Sequence, residues 1–544
     1  MDERRAGLLA GLSRYAVLLL LPILIVGLWL RCYGIASRSL WYDEANTYFT
    51  CRLPFGELLR RLHYDVHPPL YYLLLNVWNF LLNLWRAGLG DEPAALRAPG
   101  VFFGAMAIFG VYPFTVEAVR GPAPGEGPRV PVTPRAREIG LWAAALVSLS
   151  VFQIHGSWEV RPYGLDVALC AFSSWVLLRA IHARSPSFHL WLLYALLSLL
   201  FAYTHYFGLL TIAAQGLFVA GHLGVRAFRQ RQATGFFTRL VRQQQFWPAL
   251  LTAVVIGLCW LPWLPTFLEQ QQHVQADYFV RAPSWAAVRI YAYHMTVEPE
   301  NSVPRGMTIA SYACIFVCAA VPCALLCKAK SANWLVFLSA VVPVGASLFT
   351  TTILGTHVFY SRYFLFAHLF LLVGAAMLLG KIPLLWARLT LGLVVVLGML
   401  AVDLRYMQKL DLPNSPSYRG AAEYVESRRQ PGEPVVVCHH LYYLPLLYHA
   451  KSAPGWYLFG RSPDTHDDAW VAFSTQNVMR QHDLDDITGG RVWVVNTTSK
   501  GGATQKVIVP KRWKLKGQRD FADRYTTGER DLQVLEYEVP ATNP

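Results

Sequence analysis

Eleven apolar runs, each near the length that crosses a bilayer, leave this chain few ways to fold. They fall at about 15–33, 98–119, 139–155, 163–182, 190–204, 206–225, 246–268, 306–327, 333–354, 362–380 and 386–405. A helix needs about 20 apolar residues to span hydrocarbon, where no water can satisfy backbone N–H and C=O groups. Composition agrees: 54% of residues are hydrophobic and 15% charged, whereas soluble domains carry about 25% charge. The 18 Trp, 27 Tyr and 29 Phe suit aromatic belts at bilayer interfaces. The predicted fold class is an α-helical polytopic membrane protein.

A twelfth run, Leu70–Trp85, decides which loops face which side. If it does not cross, Arg120, Arg129, Arg135 and Arg137 fall on the side of Arg4, Arg5 and Arg14. So do Arg179, Arg184, Arg226, Arg229, Arg231, Arg239, Arg242, Lys328, Lys330, Lys381 and Arg388. Lys and Arg concentrate in cytoplasmic loops. Leu70–Trp85 is therefore read as a juxtamembrane helix inside a first outer loop of about 34–97. This predicts eleven spans in a cell (inner or plasma) membrane, with a cytoplasmic N-terminus and an extracytoplasmic C-terminus. No small-residue cleavage site follows the first run, so it reads as a retained helix. Residues 1–405 form the predicted membrane domain, and 121–128 a flexible loop. Residues 406–544 are predicted to form a small extracytoplasmic α/β domain. Its expected elements are a helix over Ser417–Arg429 and strands over Pro434–Cys438, Arg491–Val495 and Leu532–Val539.

That topology gathers the acids and histidines on the outer face. Asp43-Glu44 and Asp65-x-His67-Pro68-Pro69 lie in the first outer loop; Glu159-x-Arg161-x-Tyr163, with His155 before it, lies in the second. His205 is in the third loop, Tyr291 to Glu298 in the fourth, and His357 to Arg362-Tyr363 in the fifth. A site there draws on lipid-linked sugars, since nucleotide sugars are cytoplasmic. Transfer to a hydroxyl needs a carboxylate for the acceptor proton and cationic or hydrogen-bonding groups for the leaving phosphate. Asp43 is the candidate base. Glu44 is its partner or a structural anchor, and Glu159 is a second candidate acid. His67 would neutralise phosphate or bond to Asp43. An Arg fork matches phosphate oxygens, so Arg161 and Arg362 are candidate phosphate ligands, set against snorkelling to headgroups. Tyr163 and Tyr363 beside them would add a hydroxyl or a stacking face.

These motifs resemble those of GT-C glycosyltransferases, near the protein O-mannosyltransferase and aminoarabinose transferase group (glycosyltransferase family 39-like). The mannosyltransferases carry Asp-Glu in the first outer loop, like Asp43-Glu44, and Asp-x-His-Pro-Pro-Leu, like Asp65 to Leu70. The aminoarabinose transferases have Lys-Pro-Pro where this chain has His67-Pro68-Pro69. Bacterial relatives have an acid-x-Arg-x-Tyr element like Glu159, Arg161 and Tyr163, and a late Arg-Tyr like Arg362-Tyr363. The resemblance covers about 15–405 and implies inverting transfer from a polyprenyl-phosphate sugar without a metal. Tyr71-Tyr72 stand where the mannosyltransferases have Gly-Lys, and no middle outer loop could hold the β-trefoil of eukaryotic members.

The expected partners are a polyprenyl-phosphate-linked sugar donor, a lipid, glycan or protein acceptor, and membrane lipids. The formal charge of +14 points to anionic lipid rather than nucleic acid. No cofactor is expected; His155, His205, His294 and His357 make a divalent metal the alternative. Nine cysteines, mostly in apolar runs, form no disulfide framework. The competing functional class is a transporter or flippase of lipid-linked sugars, which would show inverted repeats and polar groups at the bilayer midplane. A sensor anchored by the spans is a third.

Overall fold

A computed structural model describes residues 16–63, 65–121, 131–230, 235–276, 284–297, 306–327, 330–410, 417–460, 477–497, 506–522 and 532–541. Arg4, Arg5, Arg14, Arg129, Arg231, Glu298, Lys328 and the predicted loop beyond Gly121 lie outside the described residues. The chain packs as two units. The first comprises Met1–Tyr33, Val66–Tyr71 and Arg97–Arg405; the second comprises Gly34–Asp65, Tyr72–Leu96 and Tyr406–Pro544.

The first unit is helical. Among the described residues eight helices are long and apolar enough to cross a membrane. They are Pro93–Arg120, Tyr163–Ile181, Tyr206–Arg229, Phe246–Gln272, Thr308–Leu325, Ser331–Ile353, Ser361–Leu379 and Leu385–Gln408. Pro134–Ser148 and Val151–Trp158 make a ninth if counted as one span bent by 57°. Two further apolar helices, Leu18–Cys32 and Phe188–Ala202, stand at predicted span positions but are shorter. The chain is a multi-pass membrane protein. The bend has a local cause: Ser150 leaves the helical conformation, and its hydroxyl accepts from the Gln153 N–H at 3.3 Å, starting a new helix. Close packing follows from small residues. A Cβ on Gly164 would lie 2.5 Å from the Gly100 carbonyl oxygen, so only glycine lets these two helices approach so closely.

Basic residues tie helix ends together in this unit. Arg388 clamps Glu138 through two contacts of 2.6 and 2.9 Å. Arg135 donates to the Gly380 carbonyl at 2.9 Å. Lys381 donates to the Ala324 and Cys327 carbonyls at 3.1 Å each, satisfying acceptors that a helix end leaves open.

The second unit is built on a six-stranded sheet of order β3-β2-β1-β4-β6-β5. The strands are β1 (Val435–Val437), β2 (Trp456–Phe459), β3 (Val478–Met479), β4 (Arg491–Thr497), β5 (Lys514–Phe521) and β6 (Leu532–Glu538). β1 runs parallel to β2 and β4, with Val436 opposite Tyr457 and Val494. Central parallel strands are covered on both faces, which is why β1 is an unbroken, fully buried Val-Val-Val. β6 pairs antiparallel with β4 and β5. The predicted helix appears as Ser417–Glu426, and β1, β4 and β6 stand where strands were expected. β2, β3 and β5 escaped the sequence reading.

The loop segments of this unit pack on the same core. Ala45 is fully buried in it, with Trp41, Tyr42 and Phe49 against it. The Leu40 N–H donates to His449 Nε2 at 3.1 Å, and the Arg419 guanidinium donates to the Ala36 carbonyl at 2.9 Å. Tyr448 donates to the Asp91 carbonyl at 2.6 Å. Leu70–Trp85 is one continuous helix.

Candidate active site

In the first unit, the predicted site residues sit where helices stop and start. Helix Val151–Trp158 ends as Glu159 turns extended, and Pro162 caps the next helix, Tyr163–Ile181. Proline disfavours a helical residue before it, so Glu159-Val160-Arg161 forms a short non-helical link. All three of these residues are buried. The Glu159 carboxylate lies 3.6 Å from His155 Nδ1, one helical turn back.

Arg161 turns toward His67. Its Nη2 lies 2.9 Å from His67 Nε2. Guanidinium only donates, so the ring nitrogen it meets keeps its lone pair. Pro68 and Pro69 donate no backbone bond, and the next N–H, that of Leu70, donates to the Tyr203 carbonyl at 3.0 Å. His67 is thereby fixed beside the loop between two apolar helices.

That loop carries His205, which lies at the centre of the cluster. Its ring is 5.5 Å from His67, 6.2 Å from Tyr163 and 5.7 Å from Tyr363, centre to centre. His205 caps helix Tyr206–Arg229, its Nδ1 accepting from the Phe207 N–H at 3.2 Å. The proton of the neutral ring is therefore on Nε2. Burial, then His67 and the charges of Arg161 and Arg362, hold its pKa well below the ordinary histidine value. Nε2 has no hydrogen-bond partner among the described residues.

Arg362 and Tyr363 lie in a 3₁₀ turn, Ser361–Phe364, that opens helix Leu365–Leu379. The Arg362 guanidinium stacks over Tyr360 at 4.8 Å. Tyr360 and Tyr363 stand 5.8 Å apart, and Tyr291 lies 5.6 Å from Tyr360. Burial, with Tyr360 and Tyr363 beside it, pushes the Tyr291 phenol up to about 12, so it stays an O–H donor. His294 Nδ1 contacts the Ser361 hydroxyl at 3.1 Å, and burial lowers its pKa to about 4. The Tyr163 hydroxyl is buried without a partner among the described residues; Arg362, Arg161 and Glu159 act on it electrostatically. Six predicted residues thus meet here: His67, Glu159, Arg161, Tyr163, Arg362 and Tyr363. The sequence reading assigned no such role to His205, Tyr360, Tyr291 or Ser361.

The other three predicted residues, Asp43, Glu44 and Asp65, belong to the second unit. Asp43 and Glu44 are in the first turn of helix Tyr42–Cys51. A carboxylate is favoured there by the helix N-terminus. Glu44 is fully buried and accepts from the Trp41 N–H at 3.4 Å. That is one half of a capping box; a Trp side chain has no acceptor to supply the other half. Asp43 is only half-buried, and its carbonyl accepts from the Thr47 hydroxyl at 2.8 Å. Asp65 accepts from the Tyr72 hydroxyl at 3.3 Å. Among the described residues no group of three or more His, Cys, Asp or Glu is placed to share a metal ion.

No protein-family model matches the chain, and no curated protein matches its sequence. Solved structures do match its fold. ArnT from Cupriavidus metallidurans in the apo state aligns over 89% of this chain and 93% of its own, with a TM-score of 0.50 and 13% identity. The same protein bound to undecaprenyl phosphate aligns over 96% and 98%, again with a TM-score of 0.50 and 13% identity. The fold is of the GT-C type. A protein O-mannosyltransferase complex, Pmt1-Pmt2 of S. cerevisiae with its sugar donor, aligns over 55% of this chain and 39% of its own. Its TM-score of 0.33 and 14% identity are too low to argue from.

Proposed function

We propose that this protein is an inverting glycosyltransferase that moves a sugar from a polyprenyl-phosphate donor to an acceptor hydroxyl on the outer face of a cell membrane. One observation carries the reading: a buried, aromatic-walled cluster at the helix ends holds Arg161 and Arg362 together with hydrogen-bond donors that lack partners among the described residues. Leaving the buried Tyr163 hydroxyl and His205 Nε2–H without an acceptor costs free energy. A phosphate between apolar helices supplies acceptor oxygens, and its polyprenyl chain suits the lipid around them. Support also comes from the fold likeness to a protein whose structure was solved with undecaprenyl phosphate.

In this mechanism the acceptor oxygen attacks the anomeric carbon as the bond to the phosphate oxygen breaks. Asp43 takes the acceptor proton. The phosphate leaves as polyprenyl phosphate, and Arg161, Arg362, His67, Tyr163 and Tyr363 hold it. Glu44 positions the helix that presents Asp43, and Asp65 is a further substrate-binding residue; Glu159, paired with His155, is the reserve acid. On this reading the reaction needs no cofactor, and a chelator should leave it unchanged. The acceptor is a lipid, glycan or protein hydroxyl. Reporter fusions after Arg231 should read cytoplasmic, and those after Pro283 should read outside. The test is incubation of membranes holding the overexpressed protein with a panel of radiolabelled polyprenyl-phosphate sugars. Label transferred from at least one donor, with release of polyprenyl phosphate, supports the reading. Donor translocation without transfer replaces it with a flippase.

A further inference from the structure

We infer that His205 is a catalytic residue of this site, donating from Nε2 to the phosphate oxygen that gains charge as the sugar departs. The inference rests on the proposed transfer reaction and adds a residue to it. The geometry is specific. The ring is 4% exposed, and its Nδ1 is already used as a helix cap. One hydrogen, on Nε2, is therefore left to aim into the cluster, where it meets no acceptor among the described residues. The rings of His67, Tyr163 and Tyr363 surround it, and the Tyr163 hydroxyl beside it also lacks a partner. Two buried donors left open, both within electrostatic reach of Arg161 and Arg362, describe a place for acceptor oxygens.

The charge balance explains why this donor is neutral. A sugar on polyprenyl phosphate is a phosphodiester with one negative charge. When the bond between the anomeric carbon and oxygen breaks, both electrons stay with oxygen, and the product carries up to two negative charges. Arg161 and Arg362, with two positive charges, already exceed the single starting charge and stay fixed throughout the reaction. The added charge falls on one oxygen in the transition state, where a preorganised neutral donor strengthens as charge grows and does not repel the neighbouring cations. A contact of that kind lowers kcat when removed and leaves donor KM nearly unchanged.

Two substitutions separate this role from helix capping. His205→Asn keeps an acceptor for the Phe207 N–H but is too short to reach the cluster. His205→Gln places an amide N–H near the position of Nε2 and loses the cap. With the donor that wild type turns over, His205→Asn should lower kcat by about 10²-fold with donor KM within about threefold, while His205→Gln stays within about tenfold of wild type in kcat. Near-wild-type kcat for His205→Asn overturns the inference. So does the reverse order, Gln worse than Asn, which would make the cap the residue's whole role. Failure of wild type to use any donor in the panel overturns the transfer reaction, and this inference with it; the wild-type control distinguishes that failure from the others.

Discussion

Helix Ser361–Leu379 has arginine chemistry at one end and lysine chemistry just past the other, put to different uses. At its far end Lys381 caps the Ala324 and Cys327 carbonyls, Arg135 donates to the Gly380 carbonyl, and Arg388 clamps Glu138 nearby. These cations are met by acceptors of the chain itself. At the near end Arg362 lies over an aromatic ring, Arg161 faces a histidine, and the buried donors of Tyr163 and His205 have no partner among the described residues. Cations paired within the fold hold helices together. Under the proposed function, the cations set beside open donors are the ones that hold the ligand. The comparison sorts basic residues by what they touch, which a count of charges cannot do.

The largest effect should come from the proposed base. Asp43→Asn keeps the size and most hydrogen bonding of the side chain but cannot take a proton, so kcat should fall by about 10²–10⁴-fold. Glu44→Gln should cost stability more than turnover, because Glu44 caps a helix. Turnover by the two purified variants, with thermal unfolding of each, checks this; equal kcat losses would mean the pair acts as a unit.

The anchoring end should respond in the opposite sense. Arg388→Ala strands the partly buried Glu138, and where breaking a fully buried pair costs about 3–5 kcal/mol the loss here should be smaller, about 1–3 kcal/mol. Thermal unfolding in detergent should show the loss, while kcat per folded molecule stays near wild type. Adding Glu138→Gln should restore part of the stability. A selective loss of donor binding in Arg388→Ala would erase the distinction between the two ends.

A smaller effect concerns acid. His294 is buried neutral, with its folded pKa lowered to about 4. An unfolded histidine titrates near about 6.5. As pH falls below that value the unfolded chain binds a proton that the folded one refuses, so stability is lost progressively down to about pH 4. His294→Gln should flatten this part of the unfolding-versus-pH curve. An unchanged curve would assign the acid sensitivity elsewhere.

The apolar runs made the helical unit legible, because hydrophobic length is a local property. Arg161, Tyr163, Arg362 and Tyr363 were legible as candidates for one cluster because motifs at helix ends keep their residues close in sequence. His205 was not. It gathers His67, Tyr163 and Tyr363 from three distant segments, and within its own segment it is one histidine between Thr204 and Tyr206. The sheet was half legible. β1, β4 and β6 are buried apolar runs, whereas β2 is a four-residue strand and β5 an exposed edge reading Lys-Leu-Lys-Gly-Gln-Arg-Asp-Phe. Charged edge strands guard against pairing with other chains, and the same charges hide them from a periodicity argument. The packing of 34–65 on the C-terminal sheet was invisible for the plainest reason: hundreds of residues separate the partners, as with Leu40 and His449.

The central claim, that the helix-end cluster binds the phosphate of a polyprenyl-phosphate lipid, is tested most directly by equilibrium binding of undecaprenyl phosphate to the purified protein in lipid nanodiscs. Wild type and Arg388→Ala should bind saturably with the same affinity. Arg362→Ala should bind about 10- to 100-fold more weakly, the worth of a charge-assisted contact, and Arg362→Lys should recover part of the loss. Equal binding by wild type and Arg362→Ala would contradict the account and leave Arg362 as a snorkelling side chain.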